Sequence, residues 1–329
     1  MTNPVTFIVG CPRSGTTLLR HIVGAHPRIA ITPEAHWIPL WFEQRKGLTP
    51  EGWITPELIS ALLEHPKFTP LFHLGREELM TLVGNGHPVS YASFVAGIFD
   101  LYGKARGKTM VGNKTPDSVR RMDTLHELWP QARIVHLIRD GRDVALSLMN
   151  WPRVLNKKPG TFPTWKKDPV STAALWWELN VRCGRNAGKW LGPELYYELR
   201  YESLIANPAE ECARLCAFLG LPFDEEMLRF HEKPEKGMPP QGSEWQPVTT
   251  GLRDWSTQMT AEDVEVFEAA AGELLAELGY VRTFANLRPD AVEHSVQVRN
   301  SLANDREVCV LMGLLESFAA DRKRRTNVS

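Results

Sequence analysis

Cysteine is scarce in this chain of 329 residues, and what there is does not pair by spacing: Cys11, Cys183, Cys212, Cys216 and Cys309 form no CxxC. Five thiols cannot all cross-link with one another, so the sequence predicts reduced cysteines, no structural disulfides and a cytoplasmic setting. Long apolar runs are missing as well. No stretch approaches the roughly eighteen apolar residues that a membrane helix needs. The opening MTNPVTFIVG has neither the basic start nor the long apolar core of a signal peptide, so neither export by that route nor a membrane span is expected. An excess of charge is also absent: the formal net charge is −1, which gives no reason to expect a nucleic-acid or membrane-surface partner and requires any anion to be held locally. The ten histidines show no paired spacing, and no metal site is expected. No internal repeat is evident.

What is present is ordinary globular material, with 43% hydrophobic residues, enough for one large α/β domain or two smaller ones. Residues 5–9 form a short β-branched apolar run that ends at Gly10 and reads as a buried parallel strand. After the turn GCPRSG, the stretch TTLLRHIVGAH carries Leu18, Leu19, Ile22 and Val23 at helical spacing and stops near Pro27. Helical patterns follow at about 36–45, 56–64, 76–83 and 90–105, then a second strand at 109–112 and a third at 133–138, with a helix at about 141–149. Residues 151–169, rich in Pro, Gly and lysine (Lys157, Lys158, Lys166, Lys167), read as a loop or lid expected to be mobile when empty. A Trp-rich helix at 171–191, a strand at 195–200, and helices at 208–219 and 261–278 complete the pattern, with one further helix near 305–320. Alternation of strands and helices predicts an α/β fold: a doubly wound, mostly parallel sheet with helices on both faces and ligands at the carboxyl ends of the strands. The expected division is a domain over 1–284 and a helical tail over 285–329.

Residues 10–17, GCPRSGTT, fit the phosphate-binding P-loop spacing G-x-x-x-x-G-K-[ST] at every fixed position but one, because Thr16 stands where the lysine belongs. A backbone nest at a helix N-terminus still offers N–H groups and a favourable dipole to an anion. Without the lysine, it lacks the cation that supports transfer of a nucleoside triphosphate's γ-phosphoryl group. The residues leave several readings open: an anion-transferring enzyme of another kind, a P-loop kinase with a degenerate loop, a nucleotide-binding module without catalysis, or a bare strand-to-helix turn.

The sequence PRSGTTLL resembles the 5′-phosphosulfate-binding loop of the sulfotransferases, and IVHLIRDGRDVALSLM resembles their 3′-phosphate-binding segment. The likeness spans roughly residues 5–280. It extends to the bacterial branch and to the tyrosylprotein sulfotransferases, whose loop also runs on to a His-Pro dipeptide, here His26-Pro27. The resemblance implies a P-loop-type fold, 3′-phosphoadenosine 5′-phosphosulfate (PAPS) as donor, and no metal. It places Arg13, Ser14, Gly15, Thr16 and Thr17 on the 5′-phosphosulfate, Arg139 and Ser147 on the 3′-phosphate, and Tyr201 beside the adenine. A guanidinium at a strand's carboxyl end and a hydroxyl two turns into the next helix can converge on one dianion. Other readings pair Arg139 with Asp140 or Asp143, put magnesium on Asp140, or make Tyr201 a core aromatic. Residues 245–255, WQPVTTGLRDW, resemble a nucleotide-covering loop, but Asp254 stands where relatives have a lysine, with Arg253 beside it. A second departure is Trp151, where the tyrosylprotein enzymes have an arginine; Arg153 lies close by.

Sulfuryl transfer needs a base for the acceptor's proton and a cation for the charge that grows on the leaving phosphate. Glu34, 21 residues after Arg13, stands at the family's base position, and Lys114, in GNKTP, at its transition-state lysine. Glu34 also suits the first turn of a helix, Lys114 a solvated strand end, and His36 is the reserve base. Trp37, Trp41, Phe42 and Trp53 either wall an acceptor pocket or belong to the core, whereas Trp176 and Trp177 read as packing. The acceptor group is a hydroxyl or amine on a tyrosine, another phenol, a sugar, a lipid or a small metabolite.

Overall fold

Parallel strands need crossover connections, and in this chain the crossovers are helices that cover the sheet on both faces. The computed structural model describes residues 4–83, 87–232, 254–306 and 308–309. Strand β1 (Thr6–Gly10) leads through a tight loop to α1 (Thr16–Ala25) and β2 (Ile29–Thr32). Helices α2 (Trp37–Glu43), α3 (Pro56–Glu64), α4 (Phe68–Phe72), α5 (Arg76–Thr81) and α6 (Tyr91–Lys104) follow. Next come β3 (Met110–Lys114), α7 (Met122–Leu128), β4 (Arg133–Ile138), α8 (Gly141–Met149), α9 (Pro169–Leu191) and β5 (Tyr196–Arg200). The order ends with α10 (Tyr201–Ala206), α11 (Pro208–Leu219), α12 (Trp255–Gln258), α13 (Ala261–Glu277) and α14 (Pro289–Ala303).

The strands pair in the order β2-β3-β1-β4-β5, all parallel, which is the doubly wound α/β fold expected from the alternation of elements. Period-two alternation along β1 sends Phe7 and Val9 into one core with Phe94 and Phe99 of α6 and Leu125 of α7. Ile8 goes to the opposite core with Leu19 and Ile22 of α1 and Leu215 of α11. Each such side chain, fully buried, contributes about 1.5–3 kcal/mol. A third cluster joins Val144 and Leu148 of α8, Trp177 of α9, Phe267 and Leu274 of α13, and Val298 and Leu302 of α14.

The structure adds short helices that the spacing did not predict, α4, α7, α10 and α12, and differs from the sequence pattern at other points as well. Strand β2 was not expected: its four residues, IAIT, are too short for periodicity to show, and pairing with β3 makes them a strand. The described C-terminal helix is α14, started by Pro289 at its first turn, and most of the expected helix near 305–320 lies outside the described residues. Residues 151–169 do form a connecting segment, but Val154, Phe162 and Trp165 anchor it in the core, and Lys158 pairs with Asp305 at 2.9 Å.

Candidate active site

Strand order places the carboxyl ends of β1, β2 and β3 side by side, with Ile8 in register with Lys114 and Thr32 with Asn113. The chain leaving β2 is fastened to the end of β3: Asn113 Nδ2 donates to Thr32 Oγ1 at 2.9 Å and to the Pro33 carbonyl at 2.8 Å, and Ala35 N–H donates to Thr115 Oγ1 at 2.9 Å. Glu34, between these ties, therefore meets Lys114. The ammonium lies 2.7 Å from Glu34 Oε1 and 3.3 Å from Thr17 Oγ1. His36 Nε2 lies 3.3 Å from the other Glu34 oxygen, and its Nδ1 lies 3.4 Å from Asp117. Burial alone would raise the Glu34 carboxyl. The Lys114 ammonium and hydrogen bonds from His36 and Lys114 override it and hold the group well below the usual carboxylate range.

The loop between β1 and α1 is shaped by two residues in the left-handed region, Arg13 (φ 78°) and Gly15 (φ 92°). At Gly15 a Cβ would meet the Tyr201 ring at 2.6 Å, so only glycine fits. Helix α1 then begins without a side-chain cap and without an acidic residue in its first turn, leaving its positive end toward the cleft. Ser14 Oγ is buried and has no hydrogen-bond partner among the described residues. Cys11, though in the loop, is no nucleophile, because burial pushes its thiol far up.

Across the cleft, Arg139 directly follows the end of β4 and α8 carries Ser147. Arg13 Nε donates to Ser147 Oγ at 3.1 Å, which joins the two sequence motifs directly. Arg139 stacks over the Tyr201 ring at 4.3 Å and pairs with Asp143 at 2.9 Å, the ion pair foreseen as one reading of the sequence. Asp140 is engaged elsewhere: it caps α8 through the Arg142 N–H and pairs with the buried Arg142 side chain at 2.8 Å.

These parts enclose a cleft of about 400 Å³. It is lined by Arg13, Gly15, Thr16, Thr17, Glu34, Arg139, Ser147 and Tyr201, with Ser14 and Lys114 buried directly behind. The ten residues singled out from sequence thus share one site. A second recess, about 500 Å³, shares Glu34, His36, Asp117, Arg120 and Lys157 with the cleft and continues past Leu40 and His65. Trp37, Trp41, Phe42 and Trp53 line neither: Trp37 packs on Phe68 and Phe72 in the core, and Trp53 is exposed. Sequence reasoning overlooked Asp117 and Arg120, which pair at 2.9 Å just beyond Lys114; the Pro116 turn that presents them was the available signal. Arg153 is exposed and outside the cleft lining, and Arg253 lies outside the described residues.

A glycine loop opening a helix, an acid-base pair at adjacent strand ends, and two guanidiniums and a hydroxyl lining one cleft make an arrangement suited to holding a doubly anionic donor while a proton leaves an acceptor. The Sulfotransferase family matches residues 4–225, and the chain belongs to that family. It is a sulfotransferase, an enzyme of sulfuryl transfer. Nodulation protein NoeE of Sinorhizobium fredii is 28% identical over 305 residues, covering 86% of this chain and 68% of that protein. Protein-tyrosine sulfotransferase A of Caenorhabditis elegans is 25% identical over 232 residues, covering 70% of this chain and 53% of that protein, so the chain spans about half of its length. Among solved structures, the sulfotransferase domain from the curacin biosynthetic pathway shares the fold at a TM-score of 0.52 and 17% identity, covering 90% of this chain and 98% of that domain.

Proposed function

We propose that the chain transfers a sulfuryl group from PAPS to a hydroxyl or amine acceptor by in-line displacement, with Glu34 as base and Lys114 as the cation at the leaving oxygen. The observation that carries this reading is the 2.7 Å pair of Glu34 and Lys114 beside Thr17, at the mouth of the anion-binding loop. The donor supplies an activated sulfuryl group on a phosphate that leaves as an anion, so the protein's task is positioning and charge stabilisation. The buried Ser14 hydroxyl, without a hydrogen-bond partner among the described residues, and the close glycine cradle fit the 5′ end of such a nucleotide. Arg139 and Ser147 suit the 3′-phosphate, and Tyr201 an adenine face. Paired with Lys114, Glu34 is unprotonated at neutral pH, the state in which a base must start. Its basicity returns as the Lys114 charge is drawn toward the leaving oxygen. The recess beyond Glu34 and His36 is the proposed acceptor side, opposite the loop.

Calorimetry tests the donor. Adenosine 3′,5′-bisphosphate should bind about two decades more tightly than AMP, without magnesium, because losing a charge-assisted contact to a dianion costs about 2–3 kcal/mol. Equal affinities, or ATP binding that requires magnesium, would sink the reading.

A further inference from the structure

Trp151 lies two residues beyond the end of α8, which carries Ser147, and both side chains line the cleft. The indole packs, partly buried, against the cluster of α8, α9 and α13, and its backbone N–H donates to the Leu148 carbonyl at 3.1 Å. It is a fixed platform. Over it lies the Arg13 guanidinium, 5.4 Å from the ring centroid and within cation–π range. Arg13 reaches this place from a left-handed backbone conformation that residues with a Cβ rarely adopt, so its surroundings hold it there. From there, its Nε donates to Ser147 Oγ at 3.1 Å. A hydroxyl that accepts from Arg13 keeps its own hydrogen to donate to an anion.

We propose that Trp151 is a positioning residue that sets nucleotide specificity: by holding the Arg13 guanidinium against Ser147, it turns toward the 3′-phosphate a side chain that the family likeness alone would give to the 5′-phosphosulfate. This rests on the donor reading above. Arg139 shares its charge with Asp143 at 2.9 Å, so a second cation beside Ser147 strengthens recognition of a dianion. Position 151, where the tyrosylprotein enzymes have an arginine, here supplies an aromatic face that places an arginine from elsewhere in the chain.

The test compares adenosine 3′,5′-bisphosphate and AMP by calorimetry on the intact protein and three variants. Trp151→Ala should lose about three- to tenfold affinity for the bisphosphate and less than about twofold for AMP. Trp151→Phe, which keeps an aromatic face, should recover the bisphosphate to within about twofold of the parent. Arg13→Lys, which keeps the charge but loses the planar face and the Nε donor, should shed the same 3′-phosphate preference. Equal losses for both nucleotides in Trp151→Ala, no loss for either, or a phenylalanine variant no better than the alanine one would overturn the proposal. Should Trp151→Ala fail to fold, an Arg13→Lys protein that discriminates as the parent does would overturn it instead. A parent protein that binds both nucleotides equally defeats the donor reading itself, whereas a discriminating parent with an equally discriminating Trp151→Ala defeats only the role of Trp151.

Discussion

Two opposite charges meet at 2.7 Å where β2 and β3 end, and their proposed roles call for different responses to mutation. A general base contributes typically 10²–10⁴-fold, so Glu34→Gln should lower turnover by about that factor while nucleotide affinity survives. Lys114→Ala removes a cation whose partner charge grows in the transition state, so turnover should fall by a similar order. Some donor affinity should go with it. An acidic phenol such as a nitrophenol needs less help in losing its proton, and it should partly rescue the glutamine variant and do less for the alanine one. His36 touches the same carboxylate at 3.3 Å and is the competing base. Steady-state rates decide: near-normal turnover in Glu34→Gln, or the larger loss and the acidic-phenol rescue in His36→Ala, would transfer the role to the histidine.

Among the elements, β4 carries a histidine that the chemistry does not use. His136 is fully buried between β1 and β5, 2.7 Å from the Tyr196 hydroxyl. Burial first, and then the Arg185 and Arg200 charges, push its pKa down from 6.5 to about 3. The unfolded chain therefore takes up this proton before the folded one does. The contribution of His136 is intact above pH 6.5 and falls as the pH drops toward about 3, by about 1.4 kcal/mol per unit within that window. Urea unfolding across about pH 7 to 5 should show this slope in the parent protein and lose about one proton's worth of it in His136→Gln. An unchanged slope would mean that the histidine titrates alike in both states.

Over the whole molecule, α8, which lines the cleft through Ser147, is tied to the C-terminal helices through a buried charge network. Arg142, 1% exposed, pairs with Asp140 at 2.8 Å and with Glu268 of α13 at 2.9 Å, donates to the Val281 carbonyl, and stacks on Trp255 at 3.6 Å. Glu268 also accepts the N–H groups of Thr283 and Phe284. Removing one partner of a buried pair leaves an uncompensated charge, so Glu268→Ala should destabilise by about 3–5 kcal/mol in denaturant unfolding. Residues after α13 would loosen first. A loss below about 1 kcal/mol would show that water or a neighbour readily satisfies Arg142.

Local chemistry was legible before any coordinates: GCPRSGTT announces its loop because a strand, two glycines and a helical repeat are contiguous, and Arg139 and Ser147 are spaced by one turn-and-helix unit. The same reading foresaw the parallel sheet, since alternating strand and helix patterns leave few other packings. It missed β2, whose four residues become a strand only by pairing with β3. It named Glu34 and Lys114 through a family likeness, yet their contact spans 80 positions and depends on strand order, which periodicity does not contain. Trp37 looked equally suited to a pocket wall or a core, and only the packing of α2 on Phe68 and Phe72 decided for the core. Trp151 was a bare departure from a pattern until the loop brought Arg13 over its ring. Sequence by itself determined what each segment is able to form, because propensity and spacing act over neighbouring residues. Tertiary structure alone decided which distant side chains share a charge, a face or a proton, because those energies exist only at contact distance.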